Sequence, residues 1–67
     1  MKLGKRIHTA RTNAKMTQLA LAHAIGYKGP DAGAYISRIE AGKQEPRLPT
    51  LARIAKRLGV GIRDLVG

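Results

Sequence analysis

The stretch ISRIEAGKQEP, residues Ile36 to Pro46, decides the fold of this 67-residue chain. Its first part reads as a helix that Gly42 ends, and a basic loop closed by a proline follows. Apolar residues then recur at the spacing of one helix face: Leu51, Ile54, Ala55 and Leu58. The stretch therefore predicts two short helices joined by a basic loop.

Two more helices are predicted upstream, over about residues 2–13 and 18–25. The first has an apolar stripe at i, i+4 and i+7, which consists of Leu3, Ile7 and Ala10. Thr17 suits the N-cap of the second helix. Gly26 follows its end, as a glycine commonly does at a helix C-terminus. We number these helices 1 and 2.

Residues 27–31, with the sequence YKGPD, predict a turn because glycine and proline redirect a chain. Helix 3 is then expected from about Ala32 to Ala41, with Gly42 as its C-cap. This helix contains the first half of the stretch from Ile36 to Pro46.

Pro49 suits the first turn of helix 4, and Gly59 closes that helix. Ile62 and Leu65 suggest a short fifth helix. No segment has the alternating pattern of a strand. The sequence therefore predicts an all-α fold, a bundle of about five short helices, in a single domain over residues 1–67.

The charge balance points to a polyanionic partner. Thirteen Lys and Arg residues against four Asp and Glu residues give a formal charge of +9. Such a balance favours nucleic acid first and an anionic membrane second. No apolar run approaches the roughly 18 residues that a membrane span needs, and the first residues lack a secretory signal. With no cysteine for disulfides, a cytoplasmic, nucleoid-associated protein is expected.

Other chemistries have little support in the sequence. His8 and His23 lie on different helices with no cysteine nearby, so a metal site is not expected. Tyr27 and Tyr35 are the only aromatic residues, too few to stack single-stranded bases. No nucleophile has an adjacent base and no carboxylates pair. We expect no enzyme activity, no cofactor and no small-molecule ligand.

Several positions together resemble the DNA-binding domain of the phage repressor and Cro family, which is lambda-repressor-like. The resemblance extends from about Leu3 to Leu65, and it rests on these residues: Thr17, Gln18, Ile36, Glu40, Gly42, Pro46, Leu51, Ile54, Ala55, Leu58, Gly59 and Val60. It implies that helices 2 and 3 form a helix-turn-helix and that helix 3 enters the major groove. It also implies an ion pair between Arg11 and Glu40.

The same resemblance implies a set of DNA contacts. Gln18 stands where the family touches a backbone phosphate, and residues 43–47 follow helix 3 where the family meets the next phosphates. The predicted DNA-binding residues are Thr17, Gln18, Lys28, Ala34, Tyr35, Ser37, Arg38, Lys43, Gln44 and Arg47. The cations of helix 4, which are Arg53, Lys56 and Arg57, are interpreted mainly as a solvated face.

The connection between helices 2 and 3 departs from the family. It has about four residues more than the usual tight turn. Helix 3 could begin early, with Gly29 as cap and Pro30 at its first position, or Asp31 could cap it and leave the extra residues in a loop. The sequence is compatible with both arrangements.

A helical wheel identifies the groove-facing side of helix 3 without reference to the family. Ile36 and Ile39 define its buried side. The residues opposite are Ala34, Arg38 and Ala41, with Ser37 and Tyr35 on the two shoulders. Arg38 is the one long donor there, and arginine can bond the O6 and N7 atoms of guanine together. We therefore expect Arg38 to be the principal base reader.

We expect a sequence-specific regulator of transcription that binds a pseudo-palindromic operator as a homodimer and occludes a promoter. The candidate dimer residues are Leu48, Ile62, Leu65 and Val66, which could instead only seal the small core. An antitoxin's DNA-binding half, a restriction-modification controller protein and an activator are alternatives within this class. A non-specific basic module for RNA or a membrane surface is the alternative from another class.

Overall fold

Five helices and no strand make up residues 3–67, the part of the chain that the computed structural model describes. The helices are α1 (Leu3–Asn13), α2 (Gln18–Ala24), α3 (Gly33–Glu40), α4 (Leu48–Leu58) and α5 (Ile62–Val66). The predicted all-α fold is confirmed, and the observed helix ends lie within one or two residues of the predicted ones. Lys2, the predicted start of helix 1, lies outside the described residues. None of the five helices is long and apolar enough to cross a membrane.

The apolar stripes of the helices meet in one core. Its buried members are Ile7, Leu21, Ala22, Ile25, Ile36, Ile39, Leu51, Ile54, Ala55, Leu58 and Leu65. Ile36 and Ile39 are at most 1% exposed, so α3 is anchored by the two residues that the helical wheel placed inside. Leu3 and Ala10 are only partly buried and pack at the edge of the core.

Glycine turns end the two central helices in the same way. Gly26 (φ 105°) and Gly42 (φ 77°) have left-handed backbone conformations that residues with a Cβ adopt with strain. After each glycine the next backbone N–H returns to the helix: Tyr27 donates to the carbonyl of Ala22 at 3.0 Å, and Lys43 to that of Arg38 at 2.9 Å. These are Schellman turns. Gly42 thus lies one residue beyond the cap residue, Ala41.

Two other glycines allow α3 to approach its neighbours closely. A Cβ at Gly4 in α1 would collide with the backbone carbonyl oxygens of Ile39 and Glu40 at the end of α3. A Cβ at Gly33, the first residue of α3, would lie 3.1 Å from the backbone nitrogen of Leu19 in α2. The absence of side chains at these two positions therefore determines how closely α3 lies against α1 and α2.

Candidate nucleic-acid interface

Helices α2 and α3 form the expected helix-turn-helix pair, and α2 begins with a side-chain cap. The Thr17 hydroxyl accepts a hydrogen bond from the backbone N–H of Ala20 at 3.0 Å. This bond satisfies one of the free donors at the helix start and fixes where α2 begins. Thr17 is exposed, so its side chain can also reach DNA. The capping bond alone is a sufficient structural reason for a threonine at this position.

The outer side of α3 consists of small residues around one long donor. Ala34, Ser37, Arg38 and Ala41 are exposed, and we refer to these four as the outer face of α3. Tyr35, predicted on the shoulder of this face, is only partly exposed because its ring packs against the core. Tyr35 therefore contributes less to the exposed surface of α3 than the helical wheel predicted. Arg38 is the one long side chain of the outer face.

The two tyrosines lie against each other. The rings of Tyr27 and Tyr35 have centroids 4.4 Å apart and are tilted by 32°. Burial, together with the neighbouring Tyr27 hydroxyl, raises the pKa of Tyr35 to about 12. Its hydroxyl therefore keeps its proton at neutral pH. The pair joins the turn after α2 to the first half of α3.

The start of α3 differs from both sequence-based alternatives. Its N-cap residue is Ala32, which has helical dihedral angles and no side-chain cap. The backbone N–H groups of Ala34 and Tyr35 donate to the carbonyls of Asp31 and Ala32, each at 3.1 Å. These i to i+3 bonds form a tight turn that satisfies the first donors of the helix, so a side-chain cap is not needed. The prediction that Asp31 caps the helix is wrong.

The early start at Pro30 is also wrong. Pro30 lies in a turn before the helix, in which the backbone N–H of Ala32 reaches the carbonyl of Gly29 at 3.4 Å. The α-helix itself begins at Gly33. His23 Nε2 lies 2.9 Å from the Gly29 carbonyl oxygen. Because a carbonyl only accepts, Nε2 carries the proton and the imidazole holds the turn against α2.

A group of polar side chains links α1 to the end of α3. The Arg11 guanidinium donates from Nε to Glu40 Oε2 at 2.6 Å and from Nη2 to Glu40 Oε1 at 3.1 Å. Its Nη1 donates to the backbone carbonyl of Met16 at 2.7 Å. Counted over the whole residue, Arg11 is 9% exposed, and the side chain of Glu40 is 7% exposed. The pair that the family resemblance implied is thus largely shielded from water.

His8 and Gln18 also contact Glu40, and together with Arg11 these residues form what we call the Glu40 cluster. Glu40 Oε1 lies 2.9 Å from His8 Nδ1 and accepts from Gln18 Nε2 at 3.1 Å. Although burial alone raises the pKa of Glu40, the hydrogen bonds from Arg11, His8 and Gln18 lower it below its usual range. Glu40 is therefore ionised at neutral pH, and it ties three segments together.

The Glu40 cluster contains two contacts that sequence reasoning missed. Gln18 was expected at a phosphate, but one of its amide N–H groups is already bonded to Glu40. The amide has a second N–H, and its contact with a phosphate stays a prediction. His8 was considered only as a metal ligand. Its position three residues before Arg11, on the same face of α1, was the signal that both side chains could reach one partner.

The loop after α3 contains the remaining predicted contacts. Lys43, Gln44 and Arg47 are exposed, and so is Lys28 in the turn before α3. Arg38 Nε donates to Gln44 Oε1 at 3.0 Å, which joins the outer face of α3 to this loop. No group of three His, Asp or Glu side chains within residues 3–67 could hold a metal ion.

The four candidate dimer residues do not form one exposed set. Leu48 is 68% exposed and Val66 is 37% exposed, whereas Ile62 is half-buried against the core. Leu65 is 1% exposed, so it belongs to the core of the monomer and is not available for a dimer contact, which is the alternative that the sequence left open for these residues. In a helix of five residues, only one side can face the core, and Leu65 takes that side.

Comparison with known proteins agrees with this architecture. Residues 7–65 match a protein family described as helix-turn-helix. The chain is 34% identical over all of its 67 residues to a protein named immunity repressor protein from Bacillus phage phi105, and it spans 44% of that relative's length. No solved structure matches the chain significantly. With a family match over nearly the whole chain and two central helices in the expected arrangement, this chain belongs to the helix-turn-helix family of the phage repressor and Cro type.

Proposed function

We propose that this protein regulates transcription by binding a specific double-stranded DNA operator through α3. The observation that carries the proposal is the outer face of α3, where Arg38 projects among small residues while Ile36 and Ile39 anchor the opposite side in the core. An α-helix fits the major groove, and small side chains around Arg38 let the helix lie deep in it.

Arg38 would be the principal base reader. Its guanidinium presents N–H donors in a fixed planar fork, which matches the O6 and N7 acceptors of guanine. Ala34 and Ala41 can touch a thymine methyl group, as can the methylene of Ser37. Tyr35 is a weaker candidate for a base contact because its ring lies against the ring of Tyr27. One long side chain can specify only a few base pairs by direct contact. The sequence-dependent shape of DNA would therefore add to the discrimination between binding sites.

The phosphate contacts would come from both ends of the helix-turn-helix. Lys43, Gln44 and Arg47 follow α3, and Lys28 lies in the turn before it; all four are exposed. Thr17 and Gln18 would approach a phosphate at the start of α2. With a formal charge of +9, the chain attracts DNA over a distance before any base is read.

The proposed regulator acts as a homodimer on a pseudo-palindromic operator and represses by occluding the promoter. One helix-turn-helix reads only a few base pairs, and a dimer places two recognition helices about one helical turn apart. Leu48, Val66 and the exposed part of Ile62 would supply apolar side chains to this contact. The name of the phi105 relative, an immunity repressor, supports repression. We propose a cytoplasmic protein without enzyme activity, cofactor or small-molecule ligand.

A selection of bound duplexes from a random library tests the proposal. We expect one consensus made of two related half-sites, with guanine favoured at a symmetric position. A gel-shift competition against structured RNA accompanies it, and the selected duplex should compete far better than RNA. Equal competition by RNA would favour a non-specific basic module. Equal affinity for a half-site and for the full site would refute the dimer.

A further inference from the structure

Arg38 and Gln44 are joined by a hydrogen bond at the surface, six residues apart along the chain. Arg38 Nε donates to Gln44 Oε1 at 3.0 Å, and both side chains are exposed. An exposed arginine on a helix normally samples many rotamers. Here the side chain is held by a residue of the loop, on the face that would meet DNA.

We propose that Gln44 is a positioning residue that orients the Arg38 guanidinium for a guanine base, and so determines the operator sequence without itself reading that base. This inference rests on the proposed function. A guanidinium has one N–H at Nε and four at the two Nη atoms. Because Gln44 takes the Nε donor, the end of the fork with both Nη atoms stays open for the O6 and N7 acceptors of guanine.

The chemistry fixes which atom of the Gln44 amide faces Arg38. A guanidinium nitrogen has no lone pair available to accept a hydrogen bond, so only the amide oxygen can lie against it. The Gln44 Nε2 group, with two N–H donors, is therefore turned away from Arg38 and can meet a phosphate. One side chain would then link the backbone contact of the loop to the base contact of α3.

The turn that ends α3 is what brings Gln44 over Arg38. Gly42 (φ 77°) reverses the chain direction, and the backbone N–H of Lys43 donates to the carbonyl of Arg38 at 2.9 Å. Gln44 is the next residue. Because Lys43 is bonded to the backbone of Arg38 itself, the position of Gln44 is defined relative to Arg38 and not only relative to the rest of the domain.

Preorganisation gives the expected size of the effect. Ordering one flexible side chain on binding weakens an interaction roughly two- to tenfold. Gln44→Ala should reduce the preference for guanine over the other bases at one position of each half-site by about that factor. Affinity for random duplex should change less, because a freely rotating Arg38 still attracts phosphates. Melting temperature should stay near that of the wild type because the lost bond is exposed.

The test is a comparison of selected sites and of affinities for the wild type, Gln44→Ala, Gln44→Glu, Arg38→Ala and the double variant Arg38→Ala/Gln44→Ala. Gln44→Glu keeps an acceptor at the same distance, so it should retain the guanine preference although its negative charge weakens binding to all duplexes. In the Arg38→Ala background, Gln44→Ala should leave base preferences unchanged. In the free protein, the NMR signal of the Arg38 Nε–H should shift in Gln44→Ala.

Lys43→Ala is the matched control, since Lys43 is the adjacent exposed loop residue and its side chain makes no bond to Arg38. Lys43→Ala should weaken binding to all duplexes alike and leave the guanine preference unchanged. An unchanged guanine preference in Gln44→Ala, with a loss in Arg38→Ala, would overturn this inference and leave the proposed function intact. Changed preferences from Gln44→Ala in the Arg38→Ala background would also overturn it, because Gln44 would then read a base directly. A wild type that selects no consensus would overturn both.

Discussion

Glu40, at the centre of the Glu40 cluster, is close along the chain to the Arg38–Gln44 bond, yet the two regions differ in burial and in number of hydrogen bonds. The side chains of Arg11 and Glu40 are 11% and 7% exposed, and each makes several hydrogen bonds. The bond from Arg38 to Gln44 is exposed and stands alone. A buried network contributes to stability, because breaking it strands a charge, whereas an exposed bond contributes mainly orientation. We therefore expect the first region to control folding and the second to control sequence preference.

Removing Glu40 should have the largest effect on stability. Glu40→Ala strands the buried Arg11 guanidinium, which should cost about 3 kcal/mol of unfolding free energy. The double variant Arg11→Ala/Glu40→Ala should lose less than the sum of the two single variants. Chemical denaturation measures all three, with Glu45→Ala as control because Glu45 is an exposed carboxylate and should cost below about 0.5 kcal/mol. Additive losses would mean that Arg11 and Glu40 are not coupled.

Gly4→Ala should destabilise the packing of α1 against the end of α3 by a steric clash, without any change of charge. In an ordinary helix this change gains up to about 1 kcal/mol. Here the new Cβ would meet the carbonyl oxygens of Ile39 and Glu40, so we expect a loss of about 1–3 kcal/mol. Thr9→Ala, at an exposed position of α1, should be near neutral in the same thermal melt. A Gly4→Ala protein that melts higher than the wild type would show that α1 and α3 can separate at little cost.

Arg38→Ala should affect binding and not folding. Loss of a bidentate contact to guanine should weaken binding to the cognate operator about ten- to hundredfold, whereas affinity for random DNA should fall much less. The unfolding free energy should change by less than about 0.5 kcal/mol. Arg38→Lys should restore affinity only in part because lysine lacks the planar fork. If both variants select the same consensus as the wild type, Arg38 touches only the backbone.

The Glu40 cluster should also make stability depend on pH in the acid range. The pKa of Glu40 is lower in the folded chain than in the unfolded one, so its contribution is present above the unfolded value of about 4.3. That contribution is lost as the pH falls through the lower folded value. Glu40→Gln should flatten this part of the stability profile, as followed by denaturation at a series of pH values. An identical profile for the wild type and Glu40→Gln would contradict the assignment.

The smallest expected effects are those of single phosphate contacts in the loop. Lys43→Ala and Arg47→Ala should each make the slope of log K against log salt shallower by about 0.9, with a similar loss for every duplex. Arg57→Ala, on the exposed side of α4, is the matched control and should leave the slope unchanged. Unchanged slopes for both loop variants would remove the loop from the interface.

The helices and the buried side of α3 could be predicted because they depend on local signals. Apolar spacing placed Ile36 and Ile39 inside, and glycine marked the ends of α2 and α3. The roles of Gly4 and Gly33 could not be predicted, because the atoms that crowd them belong to the backbones of other helices.

The site was predicted less completely than the fold. Arg38 was assigned to the outer face by periodicity alone, and its partner in the loop was missed because the bond depends on the turn at Gly42. The N-cap of α3 was not predicted because backbone bonds replaced the side-chain cap. Leu65 could not be assigned to the dimer or to the core from the sequence, because the sequence does not show which apolar residues of a five-residue helix the small core buries.

The contact between Tyr27 and Tyr35 also determines how this protein absorbs and emits light. The chain has no Trp and only these two Tyr residues, so its near-ultraviolet spectrum comes almost entirely from one pair of rings in contact. Tyrosine emission therefore reports on the turn between α2 and α3 and on the part of the core against which Tyr35 packs. Combined with the far-ultraviolet signal of all five helices, it would reveal whether that turn opens before the bundle unfolds. A natural fluorophore pair thus stands beside the helix proposed to read DNA, and no label needs to be added.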